Sequence, residues 1–364
     1  MSKILVAMSG GVDSSVCAYL LKEAGHECMG CTMKLYDADD INHVEESTCD
    51  SCATKTCCSL SDIEDARSVA FRLGMKYQVF NFKDSFDEHV IAPFVNSYLR
   101  GETPNPCIDC NKHLKFDRLL ERAKVLGFDD IATGHYARIE YEDGIYKLKK
   151  AVDLSKDQSY VLYSLSQEQL AHIHFPLGGM TKSEAREIAE AQGFINARKH
   201  DSQDICFVPD GDYASMIERY TGSPSEPGDF VDMDCNFVAR HKGLIHYTIG
   251  QRRGLGIPAD RRLYVVSLDP AKNQVILGDN ADLFSATVHV RDFHWSPGGD
   301  IPSEIRCAAK IRYKHTEQPA TLTYHGDGLA TITFDEPQRA ITPGQTAVIY
   351  DGDTVLGGGI IYLP

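Results

Sequence analysis

The stretch Val6 to Leu21, VAMSGGVDSSVCAYLL, constrains the fold more than any other part of the chain. Lys3 to Ala7 before it reads as a buried strand, and Asp13 to Glu23 after it carries Val16, Tyr19 and Leu20 at helical spacing. A glycine-rich loop therefore joins a strand to a helix. Gly10 and Gly11 let the backbone turn tightly and bring its N–H groups to an anion at the helix N-terminus, while Ser9, Ser14 and Ser15 add hydroxyl donors. A loop built for γ-phosphate transfer has the spacing GxxxxGK[ST]. No lysine follows the glycines here, which argues against that chemistry.

The alternation of strand and helix continues to about residue 205. HECMGCTMKLY reads as a strand, Ser61 and Glu64 as a capping box opening a helix through Leu73, and KYQVFNF as another strand. Helical patterns follow at Ser85 to Leu99 and Lys112 to Leu126, and DDIATGH returns to a strand. The expected fold is α/β, a doubly wound parallel sheet whose ligands sit beyond the carboxyl ends of the strands, where the first loop, Met33 and Gly134 would meet. Glycines and prolines at GSPSEPGDFVD mark a change of texture, and beyond Ala281 short alternating strands predict an antiparallel β-barrel with hairpins around Gly326 to Gly328 and around Gly352. The expected domains are 1–208 catalytic, 209–282 small and central, and 283–364 a C-terminal β-barrel.

At 364 residues and 43% hydrophobic content, the chain can bury a sizeable core. No apolar run of about eighteen residues appears, and MSKILVAMSGG runs straight into a strand, so the expected location is cytoplasmic. In that setting the 12 cysteines point to metal or redox chemistry rather than to a disulfide framework. The net charge of -15 excludes a non-specific nucleic-acid coat but leaves room for a confined basic site. Basic groups occur at Lys147 to Lys150, Gln251 to Gly254, Arg261 with Arg262, and Lys310 to Lys314, each equally readable as a solvated face.

Two cysteine contexts stand out. TPNPCIDCNKHLKF places Cys107 and Cys110 between a proline-rich turn and a helix start, where the dipole favours a thiolate, and DSQDICFVP sets Cys206 in a loop at a domain seam. Cys17, Cys235 and Cys307 read as small buried hydrophobes. Four cysteines in CDSCATKTCC, Cys49, Cys52, Cys57 and Cys58, form a candidate zinc site within an insertion, with unligated thiols in a polar loop as the alternative.

SGGVDS resembles the loop of the ATP pyrophosphatases, which split ATP to AMP and pyrophosphate. The motifs AMSGGVDSSV, TPNPCIDCNKHLKF, ATGHYAR, KDQSYVLYSL, DSQDICF, HYTIGQRRGLGI, KIRYK and TPGQTAVIY occur in the order seen in the tRNA-specific 2-thiouridylases, so the resemblance spans the chain. It implies an enzyme that replaces the 2-oxo oxygen of the wobble uridine with sulfur, using ATP with Mg²⁺ to adenylate the oxygen. Cys206 resembles the persulfide carrier and Cys110 the nucleophile that attacks the persulfide, frees its sulfur and leaves a Cys110–Cys206 disulfide. Both thiols are then expected to be accessible. Ala7, Met8, Ser9, Gly10, Gly11, Val12, Asp13, Ser14, Met33 and Gly134 match ATP-binding positions, with Asp13 a candidate Mg²⁺ partner. His135, Lys156, Asp157, Gln158, Arg312, Tyr313 and Gln345 match tRNA contacts, with a strand-end core residue as the alternative reading of His135. Asn105, Pro106 and Cys107 match the segment facing the target base. The implied partners are tRNAs for Glu, Gln and Lys and a sulfur-relay protein fed by a cysteine desulfurase, with no membrane.

The sequence departs from the family pattern at Cys107, where some members carry an aspartate thought to act as general base. Cys107, Cys110 and Cys206 are therefore also candidate ligands of an iron–sulfur cluster with one open iron, a rival route to the same product. Two other readings remain: a pyrophosphatase-loop synthetase acting on a small acceptor, which leaves the thiols unused, and a non-catalytic RNA-binding protein, which leaves SGGVDS unused.

Overall fold

The computed structural model describes residues 1–36, 60–199, 205–258 and 261–364. The chain divides into two compact units. The first comprises residues 1–90, 107–211 and 353–355, and the second 91–106, 212–352 and 356–364. The candidate zinc cysteines, Cys49 to Cys58, lie outside the described residues.

The first unit is built on a five-stranded parallel sheet in the order β3-β2-β1-β4-β7. Its strands are β1 (Lys3–Ala7), β2 (Glu27–Lys34), β3 (Lys76–Asn81), β4 (Asp130–Ala132) and β7 (Ile173–His174). Strand order reverses at β1, with β2 on one side and β4 on the other. That reversal opens a crevice at the carboxyl ends of β1 and β4. Helix α1 (Val12–Glu23) turns Val16, Cys17 and Leu21 into the same core as Ala185 and Ala189 of α8 (Lys182–Ala191). The α/β expectation is met, with two additions that periodicity did not show. Strand β7 is only two residues long, and an antiparallel hairpin of β5 (Ala137–Glu142) and β6 (Ile145–Lys150) interrupts the alternation.

Helix α2 spans Leu60–Arg72, so Ser61 lies within its first turn and not at its cap. The two long helical patterns are each broken by wide π turns. In the first, α3 (Lys83–Phe86) passes through a π segment, Asp87–Ile91, into α4 (Ala92–Leu99). Pro93 sits at the start of α4, and the wide turn before it accommodates a residue that has no N–H to give. In the second, α5 (Pro106–Asp109) leads into a nine-residue π segment, Cys110–Arg118, and then α6 (Leu119–Val125). Short α7 (Gln167–Ala171) begins with a Ser166–Gln169 capping box.

The second unit contains α4, α9 (Tyr213–Thr221) and two sheets. A four-stranded sheet, β10-β11-β8-β9, comprises β8 (Gly228–Val231), β9 (Phe237–His241), β10 (Tyr264–Asp269) and β11 (Gln274–Gly278), and covers a core of Phe230, Tyr247, Val265, Val275 and Leu277. The remaining strands are β12 (Phe284–Trp295), β13 (Glu304–Lys310), β14 (Gln318–Gly326), β15 (Leu329–Arg339), β16 (Thr346–Asp351) and β17 (Thr354–Tyr362). They form a six-stranded antiparallel barrel, closed where β12 pairs with β17. Alternation puts Ala320 and Leu322 of β14 inside with Ala330, Ile332 and Phe334 of β15. The β14–β15 turn has Asp327 at φ +50° and Gly328 at +74°, the left-handed pair that a tight hairpin demands.

Candidate functional site

The loop Met8–Gly11 leaves β1 at the crevice and enters α1 directly. Its first residue is tied on both sides of its peptide. Met8 N–H donates to the Cys31 carbonyl at 2.7 Å, and Thr32 Oγ1 donates to the Met8 carbonyl at 2.5 Å. Tyr77 Oη reaches Thr32 Oγ1 at 2.6 Å and closes that chain of bonds. Gly10 has φ +76°, and a Cβ on it would lie 2.3 Å from the Asp62 carbonyl oxygen, so only glycine fits. Ser14 Oγ accepts from Ser9 N–H at 3.2 Å and donates to the Gly11 carbonyl at 3.0 Å, folding the loop back on the first turn of α1.

Gly134 follows β4 and packs directly against this turn. A Cβ there would meet Asp13 C and Ser14 N at 2.7 Å. The expected meeting of loop and Gly134 is therefore observed. Met33 lies near the carboxyl end of β2, paired with Phe80 of β3.

A lysine from elsewhere in the chain reaches the first turn of α1. Lys182, at the first position of α8, places Nζ 2.8 Å from both carboxylate oxygens of Asp13. Tyr136 Oη donates to Asp13 Oδ1 at 2.8 Å, and the ammonium lies 5.8 Å from the Tyr136 ring centroid. Lys199 reaches the Gly10 carbonyl at 3.3 Å, Asp62 at 2.5 Å and Asp65 at 2.7 Å. The Asp13 carboxylate thus has both oxygens engaged, and it fits the role of anchor for Lys182 better than that of an open Mg²⁺ ligand. No motif reading had singled out Lys182, Lys199, Asn196 or the Tyr136 hydroxyl. One available signal is a lysine inside the Thr181–Glu184 capping box, at the first helical position, where the helix dipole disfavours a cation.

The cysteines differ in exposure. Cys107, in the first turn of α5, is exposed; Cys110, one turn on and at the head of the π segment, is buried; Cys206 is intermediate. Expected access at Cys110 is thus not present in this arrangement, because the segment packs inward with Leu114 and Phe116, both fully buried. Tyr36 Oη donates to the Cys206 carbonyl at 2.7 Å, and Phe207 is buried edge-on against Phe86. Cys107, Cys110 and Cys206 form no disulfide in this arrangement, and among the described residues no three His, Cys, Asp or Glu side chains converge as a metal site requires. These three cysteines as arranged do not fit a cluster. Asp109, between the two thiols of CIDC, has its carboxyl raised to about 6 by burial, partly offset by Lys112. Cys17 and Cys307 are core residues whose thiols burial pushes up, Cys307 to about 11. Cys235, read as a buried hydrophobe, is instead exposed at φ +63° in a tight turn.

Of the residues matched to tRNA contacts, His135 is buried between the Phe116 and Phe175 rings, with Nδ1 2.6 Å from Thr133 Oγ1. Burial, with the Lys115 charge, lowers its pKa well below the usual histidine value, so it is neutral at pH 7. Asp157 caps its neighbourhood by accepting from Ala151 N–H, Ser159 N–H and Ser159 Oγ. Gln158 Oε1 accepts from Tyr136 N–H at 2.9 Å. Through Tyr136 the KDQ segment, which begins at Lys156, braces the strand end carrying Gly134. In the second unit, Arg312 donates to the Arg339 carbonyl, Tyr313 is 38% exposed, and Gln345 donates to the Thr103 carbonyl at 2.7 Å. Asn105 and Pro106 immediately precede Cys107. The basic run Lys147 to Lys150 is largely neutralised, since Lys147 pairs with Glu142 and Lys149 with Glu140 and Glu142.

The sequence matches three family descriptions in tandem: a tRNA methyl transferase HUP domain over residues 2–210, a tRNA methyl transferase PRC-barrel domain over 215–279, and an aminomethyltransferase β-barrel domain over 285–361. It is similar along 99% of its length to proteins named tRNA-specific 2-thiouridylase MnmA. That of Clostridioides difficile (strain 630) is 47% identical with 98% of its own length covered. One from Thermoanaerobacter sp. (strain X514), named MnmA 1, is 50% identical with 98% covered. That of Acetivibrio thermocellus is 48% identical with 99% covered.

Proposed function

Because the chain belongs to the tRNA-specific 2-thiouridylase family, we propose that it thiolates the C2 position of the wobble uridine in tRNAs for Glu, Gln and Lys at the expense of ATP. The observation that carries the reading is the lysine-braced SGGVDS loop at the reversal point of the sheet, against which Gly134 packs without a side chain. Backbone N–H groups at the head of α1 hold the β- and γ-phosphates, and the uridine O2 attacks the α-phosphate. Pyrophosphate leaves, and the O2 becomes part of a good leaving group, AMP.

Sulfur then arrives as a persulfide on Cys206, charged by a relay protein fed from a cysteine desulfurase. The terminal sulfur attacks C2 and expels AMP. The Cys110 thiolate attacks the inner sulfur, which forms the Cys110–Cys206 disulfide and leaves the outer sulfur on the base. A dithiol reductant restores both thiols. The burial of Cys110 fits a nucleophile kept from adventitious oxidants until the substrate complex rearranges the segment. Mg²⁺, entering with the nucleotide, would neutralise charge on the departing pyrophosphate.

The test is one incubation with Mg-ATP, unmodified tRNA for Glu and a persulfide donor, following AMP and thiolated nucleoside together. Both products, each dependent on tRNA, are expected. AMP formed without tRNA and without thiolated base sinks the reading in favour of a synthetase acting on another acceptor.

A further inference from the structure

The loop is held from behind by an element that none of the motifs above includes. The Gly10 carbonyl accepts from Asn196 Nδ2 at 2.9 Å and from Lys199 Nζ at 3.3 Å. A trans peptide is planar, so its carbonyl and the following N–H point in opposite directions. Fixing the Gly10 carbonyl therefore fixes the heading of the Gly11 N–H, on the opposite side of the peptide. Asn196 Nδ2 also donates to Ser15 Oγ at 2.9 Å, and that hydroxyl donates to the Gly11 carbonyl at 3.1 Å. One amide thus restrains the peptides on both sides of Gly11.

Asn196 is only 3% exposed, and its Oδ1 has no hydrogen-bond partner among the described residues. A buried acceptor left unpaired is destabilising. A residue present only to fill space would do better as an apolar side chain. The amide makes physical sense if its donor half is what the site needs. Lys199 completes the wall, joining the Gly10 carbonyl to Asp62 and Asp65, and the Asp62 backbone is what forbids a side chain at Gly10.

We propose that Asn196 is a positioning residue for the triphosphate: it aims the Gly10–Gly11 peptide so that the Gly11 N–H faces the nucleotide, with Lys199 as second brace. The inference rests on the loop being the ATP site. Its test is equilibrium binding of α,β-methylene ATP, with and without tRNA, to the full-length wild type and to Asn196→Leu, together with steady-state kinetics and thermal melts. Leucine keeps the branched outline, with bulkier methyls in place of the amide, and removes both the donor and the orphaned acceptor.

The expected result is about tenfold weaker nucleotide binding, the loss of one correctly aimed hydrogen bond to a charged phosphate. The KM for ATP rises in parallel, the KM for tRNA is unchanged, and a cooperative thermal melt shows that the variant is folded. A leucine variant that binds nucleotide within twofold of wild type overturns the inference and leaves the ATP site standing. A wild type that fails to bind the analogue removes the ATP site and the inference together. If the leucine variant does not fold, Asn196→Ala, which removes the amide without adding bulk or charge, carries the same comparison.

Discussion

Lys182 and Asp13 lie 169 positions apart in the chain, yet the lysine Nζ sits 2.8 Å from each oxygen of the aspartate, with the Lys182 side chain only 10% exposed. The pair joins the first turn of α1 to the first turn of α8, so the head of the phosphate loop is clamped by an element from the far side of the unit's sequence. Removing one partner of such a pair leaves the other charge poorly solvated. Lys182→Met is expected to lower unfolding free energy by about 2–4 kcal/mol, and Lys182→Met with Asp13→Asn by less than the sum of the single changes. Chemical denaturation of the four proteins gives the coupling directly. Additive effects would mean that the two side chains do not sense each other in solution.

Gly134→Ala tests how closely β4 approaches the loop. The new methyl would lie 2.7 Å from backbone atoms of Asp13 and Ser14, and a helix backbone cannot yield as a flexible side chain does. A displacement on the order of 1 Å at a reacting centre costs about a hundredfold in rate. The expected outcome is a folded protein whose kcat/KM for ATP falls by about that factor. Full activity would show that the crevice is not where ATP sits.

These two contacts mark how far the sequence was legible. Gly134 is expected near the loop from the sequence, because both follow strands of a parallel sheet whose ligands sit beyond the carboxyl ends. Lys182 is not, since nothing local says which helix face a cation 169 residues away will reach. The same limit explains the π segment at Cys110–Arg118. Its apolar residues Leu114 and Phe116 pack inward, but the 3.6-residue pattern used to find helices does not register a wider turn. The barrel was legible down to its β14–β15 hairpin because alternation and the Asp327–Gly328 turn are local signals. Cys235 shows the reverse error: a lone cysteine carries no pattern, and its left-handed turn depends on the Asp232 carbonyl that accepts its N–H.

Asp109 gives the first unit a pH signature. Its carboxyl titrates at about 6 when folded, against an ordinary 3.8, chiefly through burial. Between those values the folded chain holds the proton that the unfolded chain has lost, so this group's contribution to stability falls as pH rises from about 4 to about 6 and stays low above. Asp109→Asn removes the cost of the buried charge. Urea unfolding is expected to show a gain on the order of 1–2 kcal/mol at pH 7.5, after discounting for partial solvent access, and little gain at pH 4.5. An equal gain at both pH values would refute the assignment.

The CIDC pair separates the two sulfur routes. Cys107 is exposed and Cys110 buried, so brief alkylation of the native apoprotein is expected to label Cys107 first, with Cys110 labelled only after denaturation, as peptide mass spectrometry would show. That order gives the variants their meaning. If persulfide chemistry runs through Cys110 and Cys206, then Cys110→Ser and Cys206→Ser each abolish thiolation while AMP formation with tRNA persists, because adenylation precedes the sulfur step. Cys107→Ser then keeps both. If instead a cluster on all three thiols carries the sulfur, Cys107→Ser loses thiolation with the others, and the wild type works only when loaded anaerobically with iron. Sulfur insertion by an iron-free wild type, combined with a working Cys107→Ser, leaves the persulfide route alone. Loss of thiolation in Cys107→Ser with adenylation intact would make the exposed cysteine part of the sulfur path and require the buried Cys110 to act in concert with it.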